Sequence, residues 1–256
     1  MVLLLRLAGP LQSWGDSSRF ARRRTRTEPT KSAVIGLLAA AQGRSREEDI
    51  DDLRLLEFGV RTDQPGSLLR DFQVERSLDE KVVMPLSHRY FLSDAAFLVA
   101  LGGPADKLAE LDEALHHPVW PLYLGRRSCP SDLPISLGMH EEYRDVRDAL
   151  ARAPWIASEW YRRRSPIPRL EVAYDARPGE PCSYQADDPL SFSGEGRRYG
   201  QRAVVRAYVD NPSCSCPEGE VSMLAQGDSL SHPEAEGLDG GTFPDRDQTH
   251  DPLGFL

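Results

Sequence analysis

Five arginines fall within eight positions: Arg19, Arg22, Arg23, Arg24 and Arg26. Pro29-Thr30-Lys31-Ser32 follows and opens an apolar segment, Ala33 to Ala41. Guanidinium groups hold phosphate bidentately and stack on bases. The first N–H groups of a helix lack intrahelical partners and carry the positive end of its dipole, so a helix start with Lys31 and two hydroxyls is an anion site in waiting. Arg126-Arg127, in the tight stretch Gly125 to Pro130, adds two more cations. Trp14, Phe72, His88 and Tyr90 can offer stacking faces. The pattern is that of phosphate and nucleic-acid binding. The competing reading makes Trp14 and Phe72 core residues and the arginine run a solvated loop. Arginine excess over lysine, of which there are three (Lys31, Lys81, Lys107), also follows from GC-rich codon usage.

Other chemistries find less. Cys214-x-Cys216 is a lone pair in a polar tail, Cys129 and Cys182 lack ligand spacing, and His116-His117 ends a helix, so no metal or other cofactor is expected. The sequence contains no GxGxxG, GxxxxGK[ST] or GxSxG motif. Metal-independent RNA cleavage needs a base, an acid and a cation for the phosphorane. His88 or Tyr90 with Lys31 or Arg126 can be cast in those roles, but no second His lies near His88 in the chain.

The elements that must position these residues are legible from periodicity. Residues 2–8 read as a buried strand closed by Gly9-Pro10, and 15–30 as a polar loop. A buried helix runs from about Lys31 to Ala41, with Gly43 beyond its end. Leu53 to Thr62 reads as a strand with Leu56, Phe58 and Val60 on one face. Residues 68–93 suggest a projecting hairpin made of the pieces 69–74, 81–84 and 87–92. Ala95 to Leu101 reads as a buried strand, 105–116 as a helix with Leu108, Leu111 and Leu115 inward, and Leu122 to Leu124 as a short strand. Without the hairpin, the order is the βαββαβ of a ferredoxin-like, RRM-type α+β domain. This domain is expected over 1–130, with the hairpin at about 70–92. A small C-terminal β extension over 131–210, including strands near 170–174 and 202–209, and a disordered tail over 211–256 complete the expectation.

The net charge of −9 is unevenly placed: residues 1–210 carry 30 cations and 31 anions, and residues 211–256 one cation and nine anions. The body is therefore balanced and compatible with a polyanionic partner. No apolar run approaches the roughly 18 residues of a membrane span, and the N-terminus lacks a basic leader and cleavage site. Four cysteines in 256 residues make no disulfide scaffold, so a cytoplasmic location is expected.

Leu5-Arg6-Leu7-Ala8-Gly9-Pro10-Leu11-Gln12-Ser13-Trp14-Gly15 resembles the N-terminal signature of the CasD family, the fifth Cas family, of type I-E CRISPR Cascade. The resemblance continues at Pro29-Thr30-Lys31-Ser32 with Gly36 to Ala41, at Arg70-Asp71-Phe72, at Tyr90 to Phe97, and at Tyr123 to Pro130. Gln73 departs from the His of the family pattern, and the acidic tail lies outside it. The resemblance implies a RAMP-type ferredoxin-like fold whose hairpin is a thumb. It implies a non-catalytic subunit that grips the 5′ handle of the CRISPR guide RNA and caps one end of the complex in antiviral defence. Its implied partners are the Cascade backbone subunit and large subunit, with target DNA met only within the complex and no membrane. The expected RNA-binding residues are Gln12, Trp14, Arg19, Arg22, Arg23, Arg24, Thr30, Lys31, Ser32, Arg70, Phe72, His88, Arg89, Tyr90, Arg126 and Arg127. The runner-up is a metal-independent endoribonuclease processing repeat RNA, as in a sister branch. A structural subunit that never touches RNA is the third class, and the arginine loop argues against it.

Overall fold

The computed structural model describes residues 1–15, 22–79 and 81–214, all within one compact unit, 1–215. Position Arg19 and the acidic stretch from Ser215 onward, including most of the expected disordered tail, lie outside the described residues. Fourteen elements follow in chain order: β1 (Val2–Gln12), β2 (Arg22–Arg23), α1 (Lys31–Ala41), α2 (Asp51–Arg54), β3 (Glu57–Gln64), β4 (Ser67–Gln73), β5 (Ser87–Gly102), α3 (Ala105–His116), β6 (Ser136–His140), α4 (Val146–Arg152), α5 (Glu159–Arg164), β7 (Arg169–Asp175), β8 (Ser183–Ser191) and β9 (Arg198–Asp210). One sheet takes the order β6-β1-β5-β3-β7-β9-β8, with β2 and β4 also paired to β5. Every pairing is antiparallel except the short one between β2 and β5. The protein is a mixed α/β molecule dominated by an antiparallel sheet.

The central strands are buried on both faces, which is why their sequences read as unbroken apolar runs. Leu3, Leu5 and Leu7 of β1 and Phe97, Val99 and Leu101 of β5 join the core shared with α1 and α3. Val2, Leu4, Leu98 and Ala100 point the other way, into a second core with Val146, Ala149 and Leu150 of α4. Leu108, Leu111 and Leu115 of α3 are buried as their spacing requires.

Four boundaries differ from the sequence expectation. β1 runs past Gly9-Pro10 to Gln12, because Pro10 is solvent-exposed and Leu11 and Gln12 still pair with Ser93 and Leu92. Leu53 lies in the short helix α2, so β3 starts at Glu57; Leu56, Phe58 and Val60 do share the core face. Leu122 to Leu124 is not a strand. It is a loop tied to the end of β1 by the Ser13 N–H donating to Leu124 O at 3.1 Å, and the strand beside β1 is β6. Residues 211–214 are ordered: Asn211, buried, donates from its backbone N–H to Pro168 O at 2.8 Å and from Nδ2 to Ile167 O at 2.8 Å.

The hairpin is present, built from fewer and longer pieces. β5 is one 16-residue strand whose first half pairs with β4, from Ser67 opposite Ser93 to Gln73 opposite Ser87. The strand bends at Asp94, whose φ of 56° is left-handed. Gly66 opposite the bend has φ 70°, and a Cβ there would sit 2.5 Å from Ser93 O. These two residues mark the point at which β5 exchanges β3 for β4 as its partner. Its tip is a small turn in which Met84 N–H donates to Glu75 O at 2.8 Å and Arg76 bridges Val83. Because the hydrogen bonds of residues 76–83 among the described residues stay within the tip and Leu78, Val82, Val83 and Met84 are exposed, replacing residues 76–83 with Asn-Gly leaves the body folded. A denaturant midpoint equivalent to within about 0.5 kcal/mol of the parent is expected; a larger loss would mean the tip supports the core.

Candidate nucleic-acid interface

The expected anion site at the start of α1 exists, and the protein fills it itself. Thr30 caps the helix, its Oγ1 accepting from Ala33 N at 3.3 Å, and the Lys31 N–H donates to Asp187 Oδ2 of β8 at 2.9 Å. Asp187 is fully buried and receives Arg202 through Nε and Nη2 at 2.9 and 2.8 Å. Arg202 Nη1 also reaches Asp175 Oδ1 at 2.8 Å, and Lys31 Nζ holds Asp175 Oδ2 at 3.1 Å. Two cations thus meet two carboxylates with every charge partnered. Ser32 bonds Thr30, its Oγ 3.2 Å from the threonine oxygen. Thr30, Lys31 and Ser32 are therefore helix-capping and network residues, and the anion that meets the first turn of α1 is the protein's own Asp187. Lys31 is likewise removed as a cation for RNA cleavage.

Gln12 and Trp14 are also interior. Gln12 Nε2 donates to Leu7 O and Ala95 O at 3.2 and 2.7 Å, and its Oε1 accepts from Trp14 Nε1 at 3.1 Å. Both are fully buried, so neither presents a face to a base. Their work is to hold the end of β1 against the arginine segment, where Arg26 N–H donates to Trp14 O at 2.9 Å.

The remaining candidates do come together, on the two faces of the hairpin base. Arg22 lies opposite His88, Phe72 opposite His88, and Arg70 opposite Tyr90, which places Arg22, Arg70, Phe72, His88 and Tyr90 on one face. Phe72 is 65% exposed. Arg23 lies opposite Arg89, and both share the other face with Phe91 and with one carboxylate, Asp71, which is the β4 partner of Arg89. Arg126 joins them from its loop: its guanidinium carbon stands 4.6 Å from the centre of the Phe91 ring, and Nη2 donates to Arg23 O at 2.9 Å. Burial, and then the neighbouring Arg89 and Arg23 charges, hold Arg126 below the ordinary arginine value. Arg89 Nη2 pairs with Glu75 at 2.7 Å, yet Arg89 Nε and Arg126 Nη1 are buried without a hydrogen-bond partner. Three guanidinium groups held together, only one of them ion-paired to Glu75 and two of them with unspent donors, constitute a site for an anion. Arg24 is exposed beside them. Arg127 points to a different place.

That place is a cavity of about 590 Å³ along the outer side of α1, lined by Ser32 and Gly36, by Arg44, Arg46 and Arg127, and by Arg197 from the start of the β9 region. Trp120, Tyr123, Phe192 and Tyr199 supply aromatic walls, and no carboxylate lines it among the described residues. Sequence reasoning reached only Ser32 and Arg127 of this set.

Comparison with known proteins agrees with this architecture. The family model described as CRISPR-associated protein (Cas_Cas5) matches residues 2–205. The chain belongs to this Cas5 family. It is 36% identical over 157 residues to the CRISPR system Cascade subunit CasD of Escherichia coli strain K12, covering 53% of this chain and 70% of that protein. Among solved structures it is similar to a chain of a CRISPR RNA-guided surveillance complex, with 31% identity, a TM-score of 0.67, and coverage of 83% of this chain and 92% of the other. A structure described as a Cas protein matches at 39% identity and TM-score 0.65, covering 83% and 100% of the two chains. Among the described residues, no helix is long and apolar enough to cross a membrane.

The charge network at α1 predicts a large and specific loss. Asp187→Ala strands Arg202 and the start of α1 together, and a destabilisation of about 3–5 kcal/mol is expected in denaturant unfolding. A loss below about 1 kcal/mol would show that Asp175 alone satisfies Arg202.

Proposed function

We propose that this Cas5 family chain is a non-catalytic subunit of a type I-E Cascade surveillance complex, gripping the 5′ handle of the CRISPR guide RNA in antiviral defence. The observation that carries the reading is the cluster of Arg23, Arg89 and Arg126, with two buried guanidinium N–H donors left unspent. A phosphate there would take those donors and relieve the repulsion among Arg23, Arg89 and Arg126, which Glu75 offsets at Arg89. Phe72, His88 and Tyr90, with Arg22 and Arg70, offer stacking and further phosphate contacts on the opposite face of the same hairpin. The strand order β6-β1-β5-β3, with α1 and α3 in the crossovers, supports a ferredoxin-like core with the hairpin as its thumb. β7 to β9 are then the C-terminal β extension.

The thumb exposes nine large apolar side chains between Leu68 and Leu86, among them Leu78, Val82 and Val83. Such a strip favours a protein neighbour, and in this reading that neighbour is the backbone subunit. The large subunit and target DNA are met within the complex, which works in the cytoplasm. The nuclease reading loses ground because Lys31 is enclosed by Asp175. The residues that share a face with His88, namely Arg22, Arg70, Phe72 and Tyr90, also include no second histidine and no carboxylate.

Arg23→Ala together with Arg126→Ala is expected to weaken binding of repeat-derived RNA. The log affinity–log salt slope should fall by about 0.7–0.9 for each phosphate no longer neutralised. His88→Ala leaves RNA processing in cells unchanged. An unaltered salt slope would remove the cluster from the interface. Divalent-independent cleavage of repeat RNA by the pure protein, abolished by His88→Ala, would replace the binder with the nuclease.

A further inference from the structure

The base of the hairpin has little support from the rest of the sheet. Pairing between β1 and β5 ends at Gln12 opposite Leu92, and beyond that point β5 is flanked by β4 and by the two residues of β2. Among the described residues, β4 pairs with β5 alone. A two-stranded ribbon is marginally stable by itself, yet this one holds Arg89 beside Arg23 and Arg126. Its course has to be fixed where it joins the core.

That junction contains a β-bulge. Thr62 lies opposite Phe97 and Gln64 opposite Ala96, so Asp63 is an extra residue in β3. A bulge bends its strand and re-aims its side chains. Asp63 and Gln64 are both buried, at 0% and 2% exposure, and both hold the segment that leads into α5. Asp63 O accepts from Trp155 Nε1 at 2.8 Å, and its Oδ2 accepts from the Ile156 N–H at 2.7 Å. Gln64 Oε1 accepts from the N–H and Oγ of Ser158, the N-cap of α5, at 3.1 and 3.0 Å. Gln64 Nε2 donates to Asp94 O at 2.6 Å, at the residue where β5 takes its left-handed φ. One side-chain amide therefore joins β3, the cap of α5, and β5 at the step from β3 to β4. Gly66 closes the same joint from the other strand, against Ser93 O. A buried amide with its donor and acceptor both engaged in this way is costly to strip of a partner.

We infer that Gln64 is a positioning residue for the RNA grip: through Asp94 O it holds the base of the hairpin in the course that brings Arg89 to Arg23 and Arg126, without touching RNA itself. This rests on the RNA-binding reading proposed for the same hairpin and supplies the part that presets it. A hairpin ordered before RNA arrives removes the cost of ordering it from the binding step. When the joint is loosened, only the fraction of molecules with the hairpin in place binds, so affinity falls while every phosphate contact remains available.

The full-length protein and three variants are followed by hydrogen exchange and by titration with repeat-derived RNA over a range of salt. Gln64→Met keeps the length and bulk of the side chain but removes the donor to Asp94 O. Gly66→Ala disturbs the same joint from the opposite strand. Ser158→Ala removes one bond on the α5 side and leaves Asp94 held. In the parent, the amides paired between β4 and β5 are expected to be protected before RNA is added. In Gln64→Met and Gly66→Ala those amides should exchange faster while the amides of 97–101 keep their protection. RNA affinity should fall about 5- to 100-fold in both, with the salt slope unchanged. Ser158→Ala should match the parent in affinity. Hairpin amides that gain protection only when RNA binds would overturn the inference in the parent itself. So would an equal loss of affinity in Ser158→Ala, or a loss accompanied by a lower salt slope, which would make this region a phosphate contact. Parent-like exchange and affinity in Gln64→Met and Gly66→Ala, while Arg23→Ala with Arg126→Ala weakens the RNA, would overturn this inference and leave the proposed function standing. Unchanged RNA binding in both sets would overturn both.

Discussion

The molecule depends on the backbone of one strand. β5 carries sixteen residues, pairs along its second half with β1 and β3, and along its first half with β4 and β2. A strand with partners on both sides along its length has its register fixed twice over, because a one-residue slip would turn every core side chain outward. The same strand therefore fixes where Phe97 and Val99 lie in the core and where His88, Arg89 and Tyr90 lie on the hairpin. The cationic cluster inherits its geometry from the core by simple continuation of a ladder. The left-handed Asp94 and the tight Gly66 turn the ladder without breaking it.

Charge is organised in two contrasting ways around this frame. Where a carboxylate can be brought in from a distant strand, cations are consumed: Lys31 and Arg202 by Asp175 and Asp187. Arg61 is likewise consumed by Asp63, with its other N–H groups spent on Leu150, Ala153 and Pro154 carbonyls. These sites stabilise and orient. Around Arg126 and along the α1 cavity, compensation is only partial: Glu75 meets Arg89 and Asp52 meets Arg44, while Arg126 keeps a buried donor without a partner. The contrast, and not the number of arginines, separates the surfaces that hold the protein together from those fit to hold a polyanion.

Much of the fold is legible in the sequence, and the misses have physical causes. The α1 and α3 helices follow from capping residues and leucine spacing, which are local. β5 reads as two strands because Ser93-Asp94 looks like a turn, and only the flanking strands show that pairing continues through it. Leu122-Tyr123-Leu124 has β-prone composition but no ladder to join, while β6, with Gly138 at φ 91°, has poor composition and an available edge of β1. The site obeys the same rule. Hairpin residues two apart are neighbours, since a strand's faces alternate, and the sequence is enough to group them. The helix start reads as anion-seeking, but its anion, Asp187, lies 156 positions away from Lys31, beyond any local pattern. Arg197, Tyr199 and Phe192 reach the α1 cavity across a similar distance, which is why composition and spacing around α1 give no hint of them.

That distance bears on how the chain is made. A ribosome adds roughly 5–20 residues per second, so after α1 emerges the chain waits on the order of ten seconds or more before Asp187 and Arg202 exist to complete its first turn. During that interval Lys31 and the helix N–H groups are open to any passing anion, and β3 has no β7 to cover its edge. The nascent protein thus passes through a stage more cationic and more adhesive than the finished one, and its last strands act as a closing clasp on the first helix.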